Sequence, residues 1–304
     1  MVNDGSTDES LEIIRKYADL DARFKFIDKK NGGVSAARNA GLDVATGDYI
    51  AFLDPDDMLC SQFLEVMLQV LLETDSDMVW CRKKKCDEFA GCEVCETYKD
   101  YEVVVKNGGL ECFIEGRPHL TVAVWGKLYK ARILKNLRFM VDFEVMAEDF
   151  EFSLRAFELC GKTAYVHRKM IIYRQHGCSL THRPLSFAAV NDHIRLLQYS
   201  VWHFKDALDR KIRHKLWRCL MPIVFRYVCI VPYLETKNYM LFWRKYSGEC
   251  NSLHWEQVFL PKYLPIRYKI LCFLYLRKKW RILRFMLNIY TLTKKNNRAK
   301  MLKN

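Results

Sequence analysis

Residues 49–57 read YIAFLDPDD, an apolar segment of strand length that ends in a turn containing three aspartates. Two further polar turns precede it: residues 3–8 read NDGSTD and residues 31–41 read NGGVSAARNAG. Helical patterns cover 10–20, 33–45 and 61–73, and strand patterns cover 24–27, 49–53 and 77–81. This alternation predicts an α/β fold in which helices cover a parallel sheet. Ligands of such sheets bind at the carboxyl ends of the strands, where these polar turns lie.

The acidic turn places Asp54, Asp56 and Asp57 directly after a buried strand. Carboxylates this close repel one another unless a cation joins them, and Mg²⁺ or Mn²⁺ bound by carboxylates and diphosphate oxygens would do so. The alternative is structural, because Asp56 or Asp57 could cap a helix that starts near Ser61. The turn alone leaves both interpretations open.

The two earlier turns have residue types that suit a nucleotide. The first offers a carboxylate, a glycine and two hydroxyls to a base and a ribose, although an Asx-turn with a helix cap explains the same residues. The second offers backbone amides at Gly32 and Gly33, where a helix starts. Arg38 adds a guanidinium that fits a phosphate or a base edge.

In order and spacing, the three turns resemble the donor site of glycosyltransferase family 2. The matching runs are VNDGSTDESLEII, KNGGVSAARNAGLDVATGDYIAFLDPDD, VWGKLYKARIL and AEDFEFSLRAF, and IIYRQHGCSLT fits the closing strand. The resemblance spans about residues 2–180. It implies a GT-A fold, with a Rossmann-like sheet flanked by helices, and sugar transfer from a nucleotide donor. Family members begin with a strand and a helix that precede the first turn, and we expect this chain to lack them.

The resemblance also implies roles for individual residues. Asp149 corresponds to the catalytic base, which would make the transferase inverting. The implied donor-nucleotide site comprises Asp4, Gly5, Ser6, Asn31, Gly33, Arg38 and Asp54. The predicted metal ligands are Asp54, Asp56 and His176, and the predicted acceptor side comprises Trp125, Lys127, Tyr129 and Glu148.

Each of the later assignments has a structural alternative. Glu148 and Asp149 could simply favour the positive end of a helix. His176 could be an ordinary surface or core histidine, and aromatic packing explains Trp125 and Tyr129 equally well.

The predicted reaction moves a sugar, with UDP as the expected nucleotide, to a saccharide or lipid-linked saccharide acceptor in surface polysaccharide synthesis. A sugar nucleotidyltransferase, which also binds Mg²⁺ through carboxylates on a doubly wound sheet, is the alternative enzyme. An inactive truncated remnant of a glycosyltransferase is the third possibility.

The net charge of +13 belongs to the C-terminal end, since 13 of the 49 Lys and Arg residues and no acid follow residue 256. Residues 262–304 pattern as a basic amphipathic tail with Trp and Tyr, which favours an anionic membrane surface. A tail packed against the catalytic domain is the alternative. No zinc module or RNA-recognition signature accompanies it, so a nucleic-acid partner is not predicted. The predicted domains are 1–183, a helical region 184–261 and the tail.

Twelve cysteines without regular spacing, in a sequence without a signal peptide pattern, suit a reducing compartment with free thiols, although Cys92 and Cys95 have zinc-like spacing. The most apolar segment, 220–233, is interrupted by an arginine and two prolines, so no spanning helix is predicted. These features together predict a cytoplasmic protein held peripherally at the inner face of the cell membrane.

Overall fold

The computed structural model describes residues 1–86, 101–115, 122–143, 147–175, 187–204 and 216. The chain divides into two compact units, Met1–Arg183 and Pro184–Asn304. Four features of the sequence lie outside the described residues: His176, the Cys92 and Cys95 pair, the apolar segment 220–233 and the basic tail 262–304.

Strands and helices alternate as far as the third strand, as the sequence predicts, and are mixed in a less regular order in the rest of the first unit. In order, they are β1 Val2–Asp4, α1 Ser10–Leu20, β2 Ile27–Lys29, α2 Gly33–Val44, β3 Tyr49–Ile50, β4 Met58–Leu59, α3 Phe63–Glu73, β5 Met78–Cys86, β6 Val103–Asn107, α4 Gly109–Glu115, β7 Lys127–Lys130, α5 Ala131–Leu134, α6 Glu148–Leu159 and β8 Lys162–Arg174. In the second unit, Phe187–Phe204 forms helix α7.

The strands form two sheets. β1 and β2 pair in parallel, and the other six form a sheet in the order β3-β7-β5-β8-β4, with β6 also paired to β8. In the larger sheet only the β5–β8 pair is parallel, and the other pairs are antiparallel. The prediction of a parallel sheet is therefore wrong in part: the sheet is mixed, because β7 pairs antiparallel with both β3 and β5.

The main core lies between α3 and the sheet. The apolar residues of α3 recur at helical spacing, and five of them are buried: Phe63, Val66, Met67, Val70 and Leu71. They pack against the β5 and β8 side chains Val79, Cys81, Val166 and Ile171. The first four residues of β5 are all buried, as expected for a strand covered on both faces.

A second cluster of aromatic rings links the acidic turn to α6. Phe52 makes edge-on contacts with Tyr129, Phe139 and Phe152, with ring centroids 5.5 to 6.1 Å apart. Phe139 and Phe152 stack at 3.8 Å. The regular strand ends at Ile50 rather than at Leu53 as predicted, and Phe52 then packs into this cluster. Phe52 precedes the turn by two residues and Phe152 follows Asp149 by three, so the cluster brings the two segments together.

Among the described cysteines, Cys81, Cys112 and Cys160 are free and buried. Cys60 and Cys86 are disulfide-bonded, so the expectation of free thiols is wrong for these two. Within the described part of the chain, none of the helices has the length and hydropathy that crossing a bilayer requires.

Candidate active site

The first two polar turns meet at the carboxyl end of β1. The Asp4 carboxylate accepts a hydrogen bond from Lys29 Nζ at 2.5 Å and another from the Gly32 amide at 3.0 Å. Burial opposes ionisation of Asp4, but these hydrogen bonds prevail and lower its pKa. Gly5 has a φ of +73°, and a Cβ there would lie 2.7 Å from the Asn31 amide nitrogen. Glycine at position 5 is therefore required for the two turns to approach this closely.

Arg38 joins the acidic turn to the start of α6. Its Nη2 donates to Asp54 Oδ1 at 2.9 Å, and its Nη1 donates to Asp149 Oδ1 at 2.5 Å and to Glu148 Oε1 at 3.3 Å. Only 11% of the Arg38 side chain is exposed. Arg38, Asp54 and Asp149 lie in three separate segments of the sequence. The Arg38 guanidinium contacts the carboxylates of the other two residues.

The position of this guanidinium is fixed by the residues around it. Helix α2 begins at Gly33, whose φ of +85° favours glycine, and Arg38 lies in its second turn. The neighbouring Asn39 side chain exchanges two hydrogen bonds with the Phe139 backbone, at 2.7 and 2.9 Å. The guanidinium lies over the Phe139 ring at 5.2 Å, a favourable cation–π geometry.

The acidic turn presents three carboxylates to one small region. One oxygen from each of Asp54, Asp56 and Asp57 lies within 4.8 Å of the others. The helix-cap interpretation is wrong, because Gln62 occupies the N-cap of α3 without a side-chain cap and Asp57 accepts the Arg174 amide at 3.1 Å instead. The second oxygen of Asp57 is buried and has no hydrogen-bond partner. A buried carboxylate oxygen beside two further carboxylates fits a hard divalent cation.

Electrostatics in this site favour the protonated form of several acids. Burial, followed by repulsion from Asp56 and Asp54, raises the pKa of Asp57 to about 6. Burial and repulsion from Asp149 raise the pKa of Glu148 to about 7. Burial also raises the pKa of Asp149, against the opposing effect of Arg38. Acids with raised pKa values in a cleft are typical of proton transfer sites.

The start of α6 has an unusual backbone. Ala147, the N-cap residue, has a φ of 81°, which lies in the left-handed region that non-glycine residues rarely adopt. Glu148 and Asp149 follow it in the first turn, where the helix dipole favours negative charge. The acidic pair therefore lies where the helix dipole favours it and also contacts Arg38. The strained backbone of Ala147 must be held in place by the surrounding structure.

The predicted acceptor residues differ in exposure. Trp125 is 4% exposed and stacks on Tyr173 at 5.5 Å, and Lys127 is fully buried and donates to the Ala123 carbonyl. Burial lowers the pKa of Lys127 to about 7. Glu148 is partly buried and contacts Arg38. Contact of these residues with an acceptor remains a prediction.

Comparison with known proteins shows a similarity to glycosyltransferases. Residues 1–91 match the family model described as Glycosyl transferase family 2. The match covers the first 91 of the 304 residues, which contain all three polar turns. It is 32% identical over 187 residues to Glycosyltransferase GlyA of Streptococcus pneumoniae, which covers 60% of this chain and 27% of that protein. It is 28% identical over 240 residues to Uncharacterized glycosyltransferase EpsJ of Bacillus subtilis, covering 76% of this chain and 70% of EpsJ.

The match to Putative glycosyltransferase EpsH of Bacillus subtilis is 33% identical over 190 residues and covers 54% of that protein. The chain thus spans about half of EpsH and about a quarter of GlyA. Among solved structures, S. aureus TarS 1–349 in complex with UDP-GlcNAc has a TM-score of 0.71 at 17% identity, covering 96% of this chain and 82% of that one. At this identity the likeness concerns the fold, which is GT-A.

Sequence reasoning missed three residues that shape this site. Lys29 pairs with Asp4, Asn39 anchors Phe139, and Phe139 lies beneath the Arg38 guanidinium. Asn39 could have been found, because it follows Arg38 directly on the same helix. Lys29 and Phe139 carry no local signal, since their partners lie 25 or more residues away in the sequence.

Proposed function

We propose that this chain is an inverting glycosyltransferase that moves a sugar from a nucleotide-diphosphate donor, with UDP as the expected nucleotide. The acceptor is a saccharide or a lipid-linked saccharide in surface polysaccharide synthesis. The observation that carries the proposal is the bridge from Asp54 through Arg38 to Asp149, with hydrogen bonds of 2.9 and 2.5 Å. It joins the predicted donor-side aspartate to the predicted base, which supports a role for both at one substrate pair. The glycosyltransferase names of the relatives and the UDP-GlcNAc complex of TarS support it.

The donor would bind where the first two turns meet. Asp4 is held by Lys29 and Gly32 beside the left-handed Gly5 and Gly33, and these turns expose polar groups suited to a base and a ribose. These contacts would orient the nucleotide so that its sugar lies towards the acidic turn.

Asp149 would act as the general base. An acceptor hydroxyl attacks the anomeric carbon, its proton passes to the Asp149 carboxylate, and the bond from that carbon to the diphosphate oxygen breaks. One attack on the face opposite the leaving group inverts the configuration. The raised pKa of Asp149 suits this role, because a base accepts a proton most effectively when its pKa lies close to the working pH.

Asp54 and Asp56 would hold Mg²⁺ or Mn²⁺, with Asp57 beside them, and the predicted third ligand His176 lies outside the described residues. Such an ion, when bound, neutralises the negative charge that develops on the leaving diphosphate. The three carboxylate oxygens and the unpartnered oxygen of Asp57 support this assignment.

The test is donor turnover by the purified full chain. UDP-sugars with Mn²⁺ should release UDP slowly with water as acceptor, and Asp149→Asn should abolish this release while UDP binding stays nearly intact. Asp48→Asn, which changes an exposed aspartate elsewhere, is the matched control. Full residual turnover in Asp149→Asn would contradict the base assignment. Release of pyrophosphate from UTP and a sugar 1-phosphate would instead identify a nucleotidyltransferase, and UDP binding without turnover would identify an inactive remnant.

Membrane association is the part of the proposal that depends on sequence alone. The basic amphipathic tail would hold the enzyme at an anionic surface, on the cytoplasmic side, near a lipid-linked acceptor. The full chain should therefore sediment with vesicles containing anionic lipid at low salt and be released at high salt. A chain that stays in the supernatant at low salt would remove this part of the proposal.

A further inference from the structure

A basic stretch of β5 lies outside the roles assigned above. Residues 82–85 read RKKK, and the side chains alternate between the two faces of the strand. Lys83 and Lys85 share one face and are exposed, whereas Arg82 and Lys84 lie on the other face and are partly buried. Four consecutive cations do not stabilise a strand by their mutual contacts, since like charges repel.

This stretch runs beside the acidic turn. In the parallel pairing of β5 with β8, Lys85 lies opposite Tyr173 and Cys86 lies opposite Arg174. The Arg174 amide donates to Asp57 at 3.1 Å, so the end of β5 is one strand away from the three aspartates. The charges of Lys83 and Asp57 are close enough for each to shift the pKa of the other.

Two aromatic rings hold the Lys83 ammonium. Its Nζ lies 4.9 Å from the Trp125 ring centroid and 4.7 Å from that of Tyr173, and the two rings stack on each other at an angle of 20°. Cation–π attraction of this kind fixes a flexible side chain without neutralising its charge. Among the described residues, no carboxylate lies within ion-pair distance of Lys83 Nζ.

The two rings thus position the ammonium, and none of the carboxylates in the described part of the chain forms an ion pair with it. Partial burial removes water from the Lys83 ammonium, and the positive charge of Lys85 repels it. Both effects lower the pKa of Lys83. A negatively charged ligand would relieve both costs. Trp125, which forms the floor of this arrangement, is also one of the residues predicted on the acceptor side.

We propose that Lys83, held over Trp125 and Tyr173 and assisted by Lys85, binds a phosphate group of a substrate beside the acidic turn. The inference rests on the proposed function and deepens it by naming a specificity determinant. A lysine ammonium is a compact point charge that suits phosphate oxygens. The phosphate has two sources, the diphosphate of the donor or a phosphate carried by the saccharide acceptor.

Four ligands distinguish these sources when they are titrated into the full chain by calorimetry. The first pair is UDP, titrated with Mn²⁺ present, and uridine, which lacks the diphosphate. The second pair is glucose 1-phosphate and glucose, and both are titrated with and without saturating UDP and Mn²⁺. The test variants are Lys83→Gln and Lys85→Gln. Lys84→Gln removes the same charge from the opposite face of the same strand and is the matched control.

Lys83→Gln removes one charge-assisted contact with the phosphate, so it should raise the dissociation constant about tenfold. Lys85→Gln should raise it by a smaller factor. Weaker binding of UDP with uridine unchanged assigns the site to the donor. Weaker binding of glucose 1-phosphate with UDP unchanged assigns it to the acceptor. Lys83→Arg should retain binding in either case.

Equal binding by the wild type, Lys83→Gln and Lys84→Gln overturns the inference, and so does an equal loss in the two variants, which would reflect general electrostatics. Absence of any phosphate-dependent binding in the wild type overturns it as well. If the wild type binds glucose 1-phosphate through Lys83 but never binds UDP, the proposed function fails while the phosphate site stands. If Lys83→Gln does not fold, the phosphate affinities of Lys85→Gln and Lys84→Gln are compared instead. Equal affinities in these two variants overturn the inference.

Discussion

Replacing Arg38 by methionine should destabilise the protein strongly and in a pH-dependent way. The guanidinium contacts Asp54, Glu148 and Asp149, and the exposed fraction of the side chain is 11% for Arg38, 13% for Glu148 and 23% for Asp149. Removing one partner of a buried ion pair costs about 3–5 kcal/mol, because the remaining charge is left uncompensated. Since Asp54 and Asp149 keep some access to water, we expect a loss near the lower end, about 3 kcal/mol at pH 8.

The pH dependence follows from the effect of Arg38 on its partners. Burial raises the pKa of Glu148 and of Asp149, and Arg38 opposes this rise for both. Without the arginine, the folded variant binds protons at a higher pH than the folded wild type does. Its stability relative to the wild type therefore improves as the pH falls, and the loss should shrink to about 1 kcal/mol near pH 5.

Urea unfolding followed by circular dichroism, at about pH 5 and pH 8, measures both effects. Arg23→Met is the control, because Arg23 pairs with Asp21 at the surface with 90% of its side chain exposed. That variant should change little at either pH. A loss in Arg38→Met no greater than in the control would refute the reasoning, as would a loss of equal size at the two pH values.

Three further substitutions test the packing. Gly41→Ala lies inside α2, where the new Cβ would meet Val2 at an ordinary 3.5 Å. It should raise the free energy of unfolding, measured in urea, by about 0.5–1 kcal/mol. Gly109→Ala would bring its Cβ into collision with the Phe157 carbonyl oxygen, so it should destabilise the protein by about 1–3 kcal/mol in the same assay. Burial lowers the pKa of Lys127 from 10.5 to about 7, so the folded wild type binds fewer protons than the unfolded chain between these values and gains stability as the pH rises. Lys127→Met lacks this term, so its stability relative to the wild type should fall from pH 7 to pH 10 in urea titrations.

The parts of the fold that depend on local pattern could be predicted from the sequence. Helix α1 begins and ends at the predicted residues, Ser10 and Leu20, and α2 begins at Gly33 and ends one residue before the predicted Ala45. Both carry apolar residues at helical spacing between recognisable boundaries. The strand order could not be predicted in this way. Tyr129 of β7 pairs with both Ile50 and Met78, and no local pattern indicates a strand that inserts between two others.

The same division holds for the site. The acidic turn, the glycine turns and Arg38 are local chemistry, and the family resemblance added Asp149. The bridge between them is a long-range contact, since Arg38 and Asp149 are 111 residues apart. Lys83 was missed for a similar reason: it reads as one cation in a run of four, and only the pairing with β8 brings it beside Asp57.

The charges of the site explain why a cation and a phosphate belong together here. Five carboxyl groups, those of Asp54, Asp56, Asp57, Glu148 and Asp149, lie around the single guanidinium of Arg38 or next to its partners. The charge of Arg38, together with the nearby charges of Lys83 and Lys127, does not compensate them, and burial and mutual repulsion raise the pKa values of Asp57 and Glu148. A divalent cation would restore the ionised state of the acidic turn and leave positive charge to share with an incoming diphosphate. Binding of UDP should therefore be much weaker without Mg²⁺ or Mn²⁺, since the diphosphate would otherwise approach an uncompensated cluster of acids. Equal affinity for UDP with and without the ion, measured by calorimetry, would contradict this account of the site.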